Sequence, residues 1–192
     1  MQTKVLFAIA GVSFNLQLIF VIMLSRQAAR AWQRRITVDK DKVNHFTATG
    51  IVFNENGEIL MIKHRKLGVW LPPGGHIDKN ELPCKAVLRE IFEETGVQAK
   101  VITAAQETGI PMDSCELPLP MQILLEDIEG TGLHNHIDMI YLCLAENPAL
   151  KPQENEIDGI GWFTPTAAMR LETFDNVRNS VQKAVLYMGR NK

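Results

Sequence analysis

Between Gly75 and Val97 the chain reads GHIDKNELPCKAVLREIFEETGV, and this run constrains what the rest can fold into. It gathers Asp78, Glu81, Glu90, Glu93 and Glu94 around a single Arg89 and closes on Gly96. On a helix from Leu82 to Thr95, at roughly 100° per residue, Glu90, Glu93 and Glu94 share one face. Cys84, Val87, Leu88 and Ile91 fall roughly opposite and form an apolar stripe that needs a core. Three neighbouring carboxylates repel one another. Glu93 and Glu94 also sit in the last turn, where the helix dipole disfavours negative charge. Such a helix asks for a bound cation, and its oxygen donors suit the hard divalent ions Mg²⁺ or Mn²⁺.

Position by position, Gly75, Glu81, Arg89, Glu90, Ile91, Glu93, Glu94, Gly96 and Val97 fill every fixed place of the Nudix signature. The chain resembles the MutT-like Nudix hydrolases over about residues 43–187. The resemblance implies a Nudix fold, a mixed β-sheet in an α/β/α sandwich. It also implies hydrolysis of a nucleoside diphosphate linked to another group, by water attack on phosphorus. Carried over by position, Glu90, Glu93 and Glu94 would bind the metal, with the Gly74 carbonyl beside them. Arg89 would orient these carboxylates through charge-assisted hydrogen bonds, pairing with Glu81. Glu90 and Glu94 would be central to catalysis. The general base would be Glu156, ahead of Gly161-Trp162-Phe163, with Glu154 or Glu90 as alternatives.

Recognition residues are less sharply marked. His134, His136 and Asp138 alternate, so on a strand they share a face. They read as a transition-metal site, as pocket hydrogen-bonding groups, or as a polar strand end. Asn176 resembles a base-reading asparagine, since an amide makes two hydrogen bonds to a purine edge; capping of the last helix by Asp175 or Asn176 is the plainer reading. Trp70 would stack on a base or pack in the core. The resemblance points to a small nucleotide as substrate, a nucleoside triphosphate or an oxidised one such as 8-oxo-dGTP. ADP-ribose or a nucleotide sugar is the alternative, with Pro111 its one faint mark. A non-catalytic Nudix-fold nucleotide-binding module is a further alternative, and the intact acids speak against it. An SQPWPFP-like stretch, expected of members acting on NADH, is missing.

The 192 residues carry a net charge of −2, which argues against a polymeric nucleic acid as partner. A homodimer is compatible with the sequence. Cys84, Cys115 and Cys143, odd in number and widely spaced, suggest reduced thiols and a cytoplasmic setting. Residues 1–42 read as an apolar helix and an Arg-rich linker, and residues 43–192 as the hydrolase domain. Residues 5–25 are uncharged and long enough to span a bilayer, with Arg26, Arg30, Arg34 and Arg35 following. A membrane anchor with the domain on the cytosolic side, a docked helix, a leader, and a true start at Met23 all fit.

Further on, strands are expected at 45–53, 58–64, 100–107, 121–127, 137–146 and 159–163, with a break at 71–75. A helix is expected to open at Thr164-Pro165, and another to run over 175–187. Strands with one embedded helix and terminal helices predict a mixed sheet covered on both faces.

Overall fold

The structure, a computed structural model, describes residues 42–102, 115–128, 134–152 and 157–190. Val43–Lys192 forms a compact unit by itself. The elements run β1 (Val43–Phe53), β2 (Ile59–His64), β3 (Trp70–Leu71), β4 (Gly74–His76), α1 (Pro83–Thr95), β5 (Gln98–Val101), β6 (Gln122–Asp127), β7 (His134–Asn147), β8 (Ile157–Phe163), α2 (Pro165–Ala168) and α3 (Asp175–Arg190). Residues 5–25, Pro111, Glu154 and Glu156 lie outside the described residues. Among those described, no helix is long and apolar enough to cross a membrane.

The strands make one mixed sheet in the order β3-β2-β1-β7-β5, with β4 also on β1, β6 on β7 and β8 on β2. The β1–β7 pair is parallel, from Val43 opposite His134 to Phe53 opposite Leu144; the other pairings are antiparallel. Gly50 to Phe53 is buried residue after residue, because this central strand is covered on both faces. Ala48 and Val52 point into a core with Val87, Ile91 and Val97 on the α1 side. Ile51 and Phe53 point into a second core with Ile140, Leu142, Val181 and Ala184 on the α3 side. Burying each such large aliphatic side chain is worth about 1.5–3 kcal/mol, so two opposed cores hold the three layers together.

Two differences from the sequence expectation matter for the site. The Leu71–Gly75 stretch is not simply a break, because β4 pairs Gly74 with Thr49 and Gly75 with Ala48. A Cβ at Gly74 would lie 2.7 Å from the Ala48 carbonyl oxygen, so glycine lets this segment enter the sheet. β7 begins at His134 rather than at 137, because its parallel pairing runs the full length of β1. The Asn54–Gly57 turn closes as its residues suggest. Asn54 Oδ1 accepts the Asn56 and Glu58 amides, and Gly57 takes φ 74°. Thr164 caps α2 by accepting the Ala167 amide.

Candidate active site

α1 opens on Pro83, where a missing N–H removes no helical hydrogen bond. It closes on Gly96, whose φ of 72° is left-handed and whose amide donates to the Phe92 carbonyl. Within it Arg89 is the hub. Its Nε and Nη2 donate to the two oxygens of Glu81 at 2.9 and 2.8 Å. Its Nη1 donates to Glu90 at 2.8 Å and to Glu93 at 2.9 Å, and Nη2 also reaches the His76 carbonyl at 3.0 Å. The planar guanidinium thus fixes three carboxylates and the end of β4 at once.

β4 sets the remaining geometry. A Cβ on Gly75 would lie 2.6 Å from the Glu90 carboxyl group, so the bare backbone is what lets that carboxylate lie against the strand. The Gly74 amide donates to Glu94 Oε2 at 2.9 Å. Glu94 is buried, where the helical wheel set it on the polar face with Glu90 and Glu93. It sits one turn beyond Ile91 and beside Thr95, and β4 crossing the helix end provides a backbone donor to hold it.

The charges follow from this packing. Arg89 holds the Glu81 carboxyl below the usual range. Burial pushes Glu90 up, outweighing the opposing pull of Arg89, and its neighbours Glu93 and Glu81 add to the rise. Glu90, Glu93 and Glu94 therefore supply an oxygen-only donor set in which one anion is already costly to keep charged. That chemistry fits a hard divalent cation.

These acids form one side of a cavity of about 640 Å³, a size that accommodates a nucleotide. Thr47, Thr49, Glu126, His136, Asp138 and Asn176 also line it. Buried Asp138 accepts hydrogen bonds from the Thr47 and Thr49 hydroxyls, both at 3.0 Å. Asn176 Nδ2 donates to Glu126 at 2.6 Å, so its amide is held in place at the start of α3, where Asp175 pairs with Arg178 instead. Burial raises the pKa of Asp138 and, with the Asp138 charge nearby, that of Glu126. Burial and then the neighbouring His76, His134 and His45 lower His136 to about 4.

The raised carboxylates carry a sign for stability. Asp138 holds its proton in the folded state at a pH where the unfolded chain has already released it. Stability should therefore fall as the pH rises from the ordinary carboxylate range, near 4, through the folded-state value. Asp138→Asn keeps an oxygen for the two threonines and also relaxes Glu126. Its melting temperature should be flatter against pH than that of the wild type in parallel thermal melts. Parallel curves would count against a charged Asp138 as the source.

Trp70 lies outside this cavity lining and packs edge-on against Phe163, ring centroids 5.1 Å apart. Thr47, Thr49, Glu126, His45 and His76 were not picked out from the sequence. The first two become visible only once the β1–β7 register sets Thr47 opposite Asp138.

The chain matches the model for the NUDIX domain over residues 43–184. Over 49 residues it is 45% identical to a Bacillus subtilis protein named "Putative 8-oxo-dGTP diphosphatase", covering 26% of this chain and 33% of that one. Over 106 residues it is 26% identical to a human m7GpppN-mRNA hydrolase, covering 52% and 30%. A MutT-like protein from Streptomyces ambofaciens is 38% identical over 55 residues, covering 29% and 36%. The chain thus spans about a third of the length of these curated relatives. Among solved structures, a NUDIX-family hydrolase from Clostridium perfringens superposes with a TM-score of 0.67 at 24% identity, covering 75% of this chain and 97% of that one. A MutT NUDIX hydrolase from Burkholderia pseudomallei gives 0.57 at 20% identity, covering 74% and 98%, and both likenesses are of fold. With its complete signature assembled around Arg89 and its matched span from β1 into α3, this chain belongs to the NUDIX domain family.

Proposed function

We propose that this protein hydrolyses the pyrophosphate link of a small nucleotide, foremost a nucleoside triphosphate or an oxidised one such as 8-oxo-dGTP. One juxtaposition carries the reading. Glu90, Glu93 and Glu94 share a nucleotide-sized cavity with Asp138 and the Glu126–Asn176 pair. The acids would hold Mg²⁺ or Mn²⁺, with the Gly74 carbonyl as a further ligand. Such an ion supplies neutralisation of phosphate oxygens and a more acidic water. Arg89 keeps Glu81, Glu90 and Glu93 in place, and Gly75 leaves room for Glu90 to approach. Glu156 is the proposed general base, with Glu90 as the alternative. Across the cavity, the Asn176 amide, oriented by Glu126, would read the base edge. The name of the Bacillus subtilis relative, "Putative 8-oxo-dGTP diphosphatase", supports the oxidised-nucleotide choice.

The test is a panel with Mg²⁺: phosphate and pyrophosphate release from dNTPs, 8-oxo-dGTP, ADP-ribose, NADH and Ap4A. The highest kcat/KM should fall on 8-oxo-dGTP or a dNTP. A preference for ADP-ribose would move the reading to nucleotide sugars. No turnover of any compound, by protein demonstrated to bind Mg²⁺, would reduce it to a binding module.

A further inference from the structure

Beside the carboxylate cluster, at the rim of the same cavity, histidines from three strands meet. The β1–β7 register sets Val43 opposite His134 and His45 opposite His136, while β4 sets His76 opposite Thr47. His45 stacks on His134 with centroids 4.6 Å apart, and His76 meets His136 edge-on at 5.0 Å. A ring nitrogen from each of His45, His76 and His136 lies within 4.8 Å of the others. The sequence grouped His134, His136 and Asp138 instead. The structure takes Asp138 out of that group, since Thr47 and Thr49 hold it.

We infer that His45, His76 and His136 form a second cation site, one that takes a single transition-metal ion of the zinc class. The spacing fits. His76 Nε2 and His45 Nδ1 are 3.3 Å apart, and two nitrogens bound at 2.0–2.1 Å to a tetrahedral zinc stand about 3.3 Å apart. The widest pair, within 4.8 Å, closes by roughly 1.5 Å to reach that separation, and the His76 ring that would move is exposed. His136 Nε2 is shielded from solvent and has no hydrogen-bond partner among the described residues, an orphan that a metal would satisfy. Imidazole donors suit zinc, copper and nickel, whereas Mg²⁺ prefers the oxygens of Glu90, Glu93 and Glu94. Three protein ligands leave a fourth position for water or a phosphate oxygen, as open zinc sites do. The two clusters touch through β4. His76 supplies an imidazole to one, and its carbonyl accepts from Arg89 in the other.

The test uses tag-free, full-length protein carrying Cys115→Ser, which removes the exposed thiol, in millimolar Mg²⁺. Zn²⁺ is titrated against a chromophoric chelator, and Co²⁺ is followed by visible absorption. One Zn²⁺ should bind per chain despite the Mg²⁺, raise the melting temperature by several degrees, and give Co²⁺ the intense bands of a tetrahedral site. His45→Ala and His76→Ala, on two different strands, should each bind Zn²⁺ more than about 100-fold more weakly with unchanged far-UV circular dichroism. Glu94→Gln should bind it as the parent does. No Zn²⁺ retained against Mg²⁺ would overturn the site. So would histidine variants that bind like the parent, or a Glu94→Gln that loses the ion, since the metal would then lie in the carboxylate cluster.

Discussion

Glu94→Gln is expected to lower kcat on the order of 10³-fold, with the protein still folded. The argument rests on what glutamine keeps. Its carbonyl oxygen can accept the Gly74 amide, now 2.9 Å from Glu94 Oε2, so β4 stays against the helix end. The side-chain volume is unchanged in a buried site. Only the negative charge goes, and with it a donor for the divalent ion. Removing a carboxylate from this crowded group should leave the melting temperature in chelator equal to or above that of the wild type. Steady-state assays across Mg²⁺ concentrations, with melts in parallel, provide the check. Near-normal kcat would remove Glu94 from the metal ligands; lost activity with a collapsed melt would make its role one of packing.

Arg89→Ala is expected to cost both stability and activity, the former by about 2 kcal/mol. It deletes five hydrogen bonds, to Glu81 (two), Glu90, Glu93 and the His76 carbonyl. It also leaves three carboxylates facing one another without their cation. For a domain of this size the melting temperature should drop by about 4–8 °C. Arg89→Lys separates charge from geometry. A lysine keeps the cation but cannot span both oxygens of Glu81 while reaching Glu90 and Glu93. Its melt should recover part of the loss while its kcat stays low. Full recovery by lysine would mean that charge alone, not the planar fork, organises the cluster.

The acid side of the cavity was legible because it is local. Glu81, Arg89, Glu90, Glu93 and Glu94 lie within fourteen residues on or next to one helix, so periodicity nearly sets their relations. Burial of Glu94 was not legible, because it depends on β4 crossing the helix end. The layered mixed sheet also followed from the alternation of elements. What could not be read was strand pairing. Nothing in HFTATGIVF indicates that it runs parallel to a strand some ninety residues later. Thr47, Thr49 and His45 therefore carried no signal until that register placed them beside Asp138 and His136. The Asn176–Glu126 contact is invisible for the same reason.

That same parallel seam has a consequence for the order in which the protein can be made. Thr47 and Asp138 are separated by 91 positions, and their hydrogen bond exists only after the intervening chain has closed into a loop. Such non-local pairings are slow to form, because loop-closure entropy is lost before contacts compensate for it. A chain emerging from the ribosome holds Glu81, Arg89 and the acidic helix well before β7 is available. The Glu90–Glu94 part of the cavity is thus present in the sequence before Glu126, Asp138 and Asn176, and only completion of the central strand pair brings the two into one chamber.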